Sequence, residues 1–111
     1  MNVRWHPAAR QELRALPAKE RAALLHAEEK LLALGERLGF PHTSAVKGSK
    51  TGLRELRPRR GNSPWRALYR RISDIFVVAA IAPEAQRDPS GFKAAVLDAE
   101  ERLEEITGGL T

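Results

Sequence analysis

The chain has 111 residues, 42% of them apolar, and its 19 lysines and arginines against 14 acids give a net charge of +5. This length suffices for one domain around one hydrophobic core. The sequence has no cysteine, which excludes disulfide bonds, thiolate metal sites and cysteine nucleophiles. Its three histidines lack metal-ligand spacing, and no apolar run resembles a signal peptide or a membrane span. We therefore expect one cytoplasmic domain over residues 1–111, with no metal ion or other cofactor.

The first third of the chain has the pattern of a short strand followed by two helices. Residues Asn2 to His6 alternate as a strand does, and Pro7 suits the first turn of a helix that continues to Pro17. A second helix is predicted from about Ala18 to Leu38, because leucines recur along it at heptad-like spacing. We expect the two helices to form a hairpin whose apolar face covers the core.

The middle of the chain predicts a loop and then three consecutive strands. The loop, Pro41 to Gly52, is rich in Thr, Ser, Gly and Lys. Short turns separate the strands, which are predicted at Leu53–Arg57, Trp65–Ile72 and Ile75–Ala82. Such strands form an antiparallel meander, and we expect its face away from the helices to be open to solvent.

A last helix is predicted after the strands, with Ser90 as its cap and its end at the glycine pair that begins at Gly108. Ile106 and Leu110 near this end are candidate contacts for a protein partner. The predicted fold is α+β: an N-terminal strand and helical hairpin on one face of a small, mainly antiparallel sheet, with a C-terminal helix.

Positive charge is concentrated in the middle segment. Lys47 to Arg71 contains nine lysines or arginines and a single acid, Glu55, whereas the rest of the chain has ten bases and thirteen acids. Arginines alternate here with aromatic and apolar residues. A basic stripe on a sheet favours binding to a polyanion, for which RNA is the candidate, and a solvated basic face without a ligand is the alternative.

Strand alternation predicts which side chains of this segment lie together. If the leucine between them faces the helices, Glu55 and Arg57 face the open side. Arg66 and Arg70 of the next strand would then lie beside them, in a cluster whose arginines bind a phosphate through paired hydrogen bonds. Tyr69 would lie beneath the helices as a core residue with a bonded hydroxyl, and a role as catalytic acid or base is the second interpretation.

The order of elements and the pattern xLRELRPxxGxxxWRxLYR resemble the RelE/ParE toxin superfamily, above all the phage-derived, HigB-like branch of type II toxin–antitoxin systems. The likeness is sharpest from Leu53 to Tyr69, with Gln86 and Pro89 as weaker support. The resemblance implies an mRNA endonuclease that needs the ribosome but no metal ion, in which the RNA 2′-OH attacks the adjacent phosphate and translation is inhibited. It also implies a cognate antitoxin, of the helix-turn-helix, HigA-like kind, bound in a hetero-oligomer.

The same resemblance implies roles for individual residues. Arg57 and Arg66 would bind the phosphate and stabilise the transition state, and Glu55 would orient them. A structural salt bridge is an equally good account of Glu55, and Tyr69 completes the catalytic candidates. The remaining basic residues are predicted to bind RNA: Lys47, Lys50, Arg54, Arg59, Arg60, Arg70 and Arg87.

One stretch departs from the family pattern. Two lysines usually follow the last strand, and here Pro83 and Glu84 stand in their place. No histidine clearly replaces them, since even His42 is predicted in a solvated loop, and the general base is left unassigned. Two alternatives to the nuclease therefore stay open: a ParE-like toxin that inhibits DNA gyrase without cutting nucleic acid, and a nuclease-inactive domain that binds RNA or the antitoxin.

Overall fold

The computed structural model describes residues 2–108, which form a five-stranded sheet between two helical layers. The strands are β1 (Asn2–Trp5), β2 (Thr43–Ala45), β3 (Arg54–Leu56), β4 (Trp65–Ile72) and β5 (Ile75–Pro83). The helices are α1 (Pro7–Arg14), α2 (Ala18–Leu34) and α3 (Pro89–Gly108). Short 3-10 turns, Gly35–Arg37 and Pro58–Gly61, follow α2 and β3. No helix in residues 2–108 has the length and apolar character needed to cross a membrane.

The strands lie in the order β1-β5-β4-β3-β2. β1 runs parallel to β5, and the other neighbours are antiparallel. The predicted α+β fold with a mainly antiparallel sheet is therefore confirmed. β2 was not predicted, because it lies in the segment predicted as a loop. It is a three-residue edge strand without an apolar alternation, and it is held by its pairing with β3 from Thr43 to Ala45.

The helical hairpin covers one face of the sheet, as the leucine spacing predicts. Leu24 and Leu31 of α2 lie one heptad apart and are 0% and 1% exposed. They pack against a layer of sheet residues that includes Leu56 and Tyr69. Burial of each such leucine contributes about 2 kcal/mol. α2 itself ends at Leu34, four residues earlier than predicted.

The opposite face of the sheet is covered by α3, so the prediction of an open face is wrong. Ala99 and Leu103 of α3 are fully buried against a second core that contains Leu68 and Val77. β5 explains this arrangement, because every residue from 76 to 82 is buried and a strand that is apolar on both faces requires a cover on both.

The ends of α3 differ slightly from the prediction. Asp88, rather than Ser90, caps the helix, because its Oδ1 accepts a hydrogen bond from the Gly91 amide at 3.0 Å. Ile106 packs against the second core and is half-buried, so much of its side chain serves the fold. Leu110 lies outside the described residues.

Candidate functional site: a groove of arginine and glutamate side chains

A groove of about 460 Å³ lies where β2, β3 and β4 meet the segment that leads into α3. The first turn of α3 borders it through Phe92, and the rest of that helix runs over the core beyond. The wall consists of Ser44, Ala45, Lys47, Glu55, Arg57, Gly61, Arg66, Glu84, Ala85, Gln86 and Phe92. Three residues that the sequence predicts for catalysis are among them.

Arg66 lies at the bottom of this groove and is only 3% exposed. Its Nη1 donates to the carbonyl oxygens of Ser63 at 2.7 Å and Trp65 at 3.0 Å. Its Nη2 donates to the carbonyl oxygen of Gly61 at 3.3 Å and to Glu84 Oε2 at 3.0 Å. The prediction that Arg66 is exposed is wrong, because the turn after β3 and the segment after β5 close over its guanidinium.

These contacts use four of the five N–H donors of the Arg66 guanidinium, and the fifth, on Nε, points toward Glu55. Burial lowers the pKa of Arg66 below its ordinary value, and the positive charge of Arg57 lowers this pKa further, while Glu55 and Glu84 oppose both effects. An arginine still carries its charge at neutral pH. Arg66 therefore directs four of its donors to the protein itself and acts as a support for its neighbours.

Glu55 lies between the two arginines of the groove. Its Oε1 is 3.7 Å from Arg66 Nε and 4.0 Å from Arg57 Nε. The same oxygen accepts a hydrogen bond from the Ser44 hydroxyl at 3.2 Å. Oε2 accepts no hydrogen bond from the residues that the structure describes, and the side chain is 17% exposed. One carboxylate oxygen is thus held in place while the other is available to a ligand.

Arg57 is the arginine of the groove whose two terminal nitrogens make no hydrogen bond within residues 2–108 and are available to a ligand. Its guanidinium lies over the Phe40 ring, with Cζ 4.8 Å from the ring centroid. Its Nε is buried and has no hydrogen-bond partner within residues 2–108. Gly61 approaches from the other side so closely that a Cβ built on it would lie 2.6 Å from Arg57 Nη2. Packing between a ring and a glycine, rather than hydrogen bonds, fixes this guanidinium.

Glu84, which stands at one of the expected lysine positions, closes one end of the groove. Besides its bond to Arg66, its Oε1 lies 3.4 Å from Arg87 Nε. Its amide donates to the carbonyl oxygen of Pro64 at 2.9 Å, which ties this segment to the start of β4. The carboxylate therefore neutralises the buried arginine where the family pattern has a positive charge.

Residues 11–79 match the family described as "Phage derived protein Gp49-like (DUF891)". The chain belongs to this family. No curated protein is significantly similar to it in sequence.

Several solved structures share the fold of this Gp49-like protein. The free-state structure of an arginine double mutant of the toxin RelE from E. coli has a TM-score of 0.60 and 18% identity, over 86% of this chain and 93% of that one. The toxin–antitoxin complex RelBE2 from Mycobacterium tuberculosis gives 0.58 and 21%, over 75% and 96%. The RelE–RelB complex from Pyrococcus horikoshii gives 0.54 and 19%, over 74% and 92%. The Gp49-like protein therefore has the RelE fold.

Tyr69, the fourth catalytic candidate, lies away from the groove on the face covered by the hairpin. It is 2% exposed, and its hydroxyl shares a 2.7 Å hydrogen bond with the Thr43 hydroxyl. Its ring packs edge-on against Phe76. This placement is that of a core residue with a bonded hydroxyl, which was the first interpretation of the sequence.

Two of the predicted RNA-binding arginines do not join the cluster either. Arg54 pairs with Tyr69 in the sheet and borders a different pocket, beside the end of α2. Arg70 is on the same face of β4 as Arg66, but four residues along a strand span about 13 Å. Glu55 pairs with Leu68, midway between the two arginines, so the register places Arg70 diagonal to Glu55 as predicted, although Arg70 is not in the wall of the groove.

The other predicted RNA-binding residues lie around the groove. Lys47 is in its wall, and Lys50 borders a neighbouring apolar depression beside α3. Arg59 and Arg60 lie in the 3-10 turn after β3, and both have positive φ. Arg59 Nη2 donates hydrogen bonds to the two carboxylate oxygens of Glu20, at 2.7 and 2.8 Å. Arg87 is 69% exposed at the Glu84 end.

Two groove contacts were missed by sequence reasoning. Phe40 lies between the predicted second helix and the predicted loop, where an aromatic residue next to a proline was the only signal. Ser44, which bonds Glu55, lies in the strand that the sequence did not indicate. Among residues 2–108 no group of three or more histidines or acids is arranged to hold a metal ion.

Proposed function

We propose that this Gp49-like protein is the toxin of a type II toxin–antitoxin system and acts in the cytoplasm as a ribosome-dependent, metal-independent mRNA endonuclease. The observation that carries the proposal is Arg57, a guanidinium with available donors held beside Glu55 in a groove that also contains Lys47. Membership of the Gp49-like family and the RelE fold support it.

The chemistry follows from which groups in the groove are available. Arg57 binds the scissile phosphate and stabilises the charge that develops on it during attack. Glu55 accepts the proton of the attacking 2′-OH through Oε2. The bond between the 2′-oxygen and phosphorus forms, and the bond between phosphorus and the 5′-oxygen breaks. The departing 5′-oxygen takes a proton from water, and the hydroxide that is left takes the proton from Glu55, which restores the carboxylate. The products are a 2′,3′-cyclic phosphate and a 5′-hydroxyl.

Arg66 is a positioning residue in this mechanism. Its guanidinium holds Glu55 from below and bonds the carbonyl groups of the turn that carries Gly61. Its effect on activity is therefore exerted through Glu55 and Arg57, rather than through contact with the phosphate.

The test is mRNA cleavage by the purified protein in a reconstituted translation reaction, mapped by primer extension. Arg57→Ala and Glu55→Gln should each reduce cleavage by a factor of about 100 or more, as loss of a transition-state donor or of a general base does. Arg4→Ala, which removes an exposed arginine of β1 at the opposite edge of the sheet, is the matched control and should cleave normally. Intact message with the wild-type protein would contradict the proposal.

Glu84 favours a second candidate function. A carboxylate at the expected lysine position lowers the positive charge around the phosphate site, and the RelE fold does not by itself determine an activity. The alternatives are a ParE-like toxin that inhibits DNA gyrase and a nuclease-inactive domain that binds RNA or an antitoxin. Inhibition of gyrase supercoiling by a protein that leaves mRNA intact would establish the first of these.

The proposal includes a cognate antitoxin of the helix-turn-helix, HigA-like kind, bound in a hetero-oligomer. Two structures with this fold were solved as toxin–antitoxin complexes, RelBE2 and RelE–RelB. On this chain Leu25 and Leu32 lie one heptad apart on α2 and are each 43% exposed, so the hairpin offers apolar surface to a partner helix. Loss of co-purification with the antitoxin in a Leu25→Glu/Leu32→Glu variant would support this surface.

A further inference from the structure

Phe40 is exposed in a way that the fold does not require. It is 75% exposed, the highest value among the large apolar side chains of residues 2–108 that lie at the surface. Arg57 covers one part of the ring, with the guanidinium carbon 4.8 Å from the ring centroid, and most of the remaining ring surface faces solvent. An aromatic ring held in this way by a groove arginine offers a flat apolar surface directly beside the phosphate site.

The surroundings of Phe40 carry positive charge on both sides of Arg57. Arg57 borders the main groove together with Lys47, and it also borders a smaller cavity of about 60 Å³ on the α2 side. Lys30 and His42 line that second cavity. An apolar protein partner placed on Phe40 would desolvate Arg57 and Lys30 without pairing their charges, which is costly. A nucleotide brings a base for the ring and a phosphate for the cations.

We propose that Phe40 is a stacking platform for one base of a single-stranded RNA whose phosphate lies against Arg57. The backbone then passes from the main groove, around Arg57, to the cavity lined by Lys30 and His42. Single-stranded RNA is bound in this way when unpaired bases stack on aromatic side chains beside a basic track. The inference rests on the proposed function, because it takes RNA to be the ligand of the groove.

The experiment compares two probes, a single-stranded RNA octamer and inorganic polyphosphate of the same length, in equilibrium binding at low salt. Phe40→Ala should weaken RNA binding about tenfold or more, since a stacked base contributes that much, and should weaken polyphosphate binding clearly less, because that probe has no base to stack. Phe40→Trp should retain RNA binding. Arg57→Ala should weaken binding of both probes. Leu34→Ala, which changes an exposed apolar residue that borders neither cavity, is the control and should change nothing.

Each other outcome has a definite meaning. Equal weakening of both probes by Phe40→Ala would show that the ring only holds Arg57 and would overturn the stacking role. If Phe40→Ala binds RNA as tightly as the wild type, the stacking role is also overturned. Contact with a protein partner would then remain as the function of the ring. Phe40-dependent RNA binding without mRNA cleavage in translation would refute the endonuclease alone. A wild-type protein that binds neither probe would refute the stacking platform, and mRNA cleavage in translation would then decide the endonuclease separately.

Discussion

Arg66 holds together the turn after β3 and the segment after β5, which lie on either side of its guanidinium. Its guanidinium bonds carbonyl groups at Ser63 and Gly61 on one side and the Glu84 carboxylate on the other. Removal of the side chain would leave these acceptors and a partly buried carboxylate without their cation. The shape of the groove therefore depends on the buried Arg66 guanidinium.

We predict that Arg66→Ala lowers the free energy of unfolding by about 3 kcal/mol or more, the usual cost of breaking a buried ion pair. Arg87→Ala removes an arginine that contacts the same Glu84 from solvent, and it should change this free energy by less than about 0.5 kcal/mol. Urea denaturation of the two variants measures both values. A small effect of Arg66→Ala would show that water replaces its hydrogen bonds at little cost.

Gly61 lies so close to Arg57 that it controls where the guanidinium lies. An alanine Cβ there would meet Arg57 Nη2 at 2.6 Å, and φ is +92°. Gly52 has a similar φ of +83° but nothing within 4 Å of its Cβ position. An alanine would be strained by the positive φ at either position, but only at Gly61 would its Cβ also meet Arg57.

We predict that Gly61→Ala and Gly52→Ala each lower the free energy of unfolding by about 1 kcal/mol, because alanine is strained at positive φ. Only Gly61→Ala should reduce polyphosphate affinity, to the level of Arg57→Ala, because only there is the guanidinium displaced. Equal affinities of the two glycine variants would mean that Arg57 finds a second position with the same access to the ligand.

The sequence predicts that the groove arginines and Glu55 cluster, but it does not predict that Arg66 is buried. Period-two alternation places Glu55, Arg57 and Arg66 on one face, and the structure brings them together. The burial of Arg66 depends on Glu84, eighteen residues further along the chain, and on the turn after β3. Neither contact leaves a local pattern in the sequence.

α3 decides which part of the sheet face remains open. It lies on β5 through Ala95 and Ala99, which are 8% and 0% exposed. The facing sheet residues include Ala79 and Ala80, and such small side chains allow a close approach of the helix to the strand. The groove persists because the helix begins only at Pro89.

We predict that Ala99→Leu lowers the free energy of unfolding by about 1–3 kcal/mol, since a fully packed interface has no room for three more carbons. Ala94→Leu adds the same atoms on the exposed side of α3 and should change this free energy by less than about 0.5 kcal/mol. Thermal unfolding followed by circular dichroism distinguishes the two variants. Similar stability of both would indicate that α3 shifts readily on the sheet.

Element types were more predictable than the way elements pack. Leucine spacing identified α2, and alternation identified β4, because both signals are local. The cover that α3 provides could have been inferred from β5, whose apolar residues follow one another instead of alternating. β2 offered no such signal, since three residues at an edge gain their order from the partner strand alone.

Across the whole molecule, acids from the rest of the chain neutralise part of the basic segment. Arg59 is paired with Glu20 and Arg71 with Glu36, in addition to the pair of Arg66 with Glu84. The positive charge that remains available to a ligand is therefore more local than the sequence suggests. Lys47 and Arg57, which border the groove, carry part of this available positive charge.

This distribution predicts how RNA binding depends on salt. Each phosphate contact on a single strand contributes about −0.7 to the slope of log K against log salt concentration. Two to four contacts around the groove give a slope of roughly −1.5 to −3. A ligand spread over all the bases of the segment would give a much steeper one.

Two substitutions in the basic segment separate these possibilities. Lys47→Ala should make the slope shallower by about 0.7, because one phosphate contact is lost. Arg71→Ala should leave the slope unchanged, because this arginine is bound to Glu36, away from the groove. Fluorescence anisotropy with a labelled RNA octamer between low and moderate salt provides the slopes. An equal effect of both substitutions would mean that RNA contacts the whole basic segment. It would contradict the assignment of the groove as the binding site.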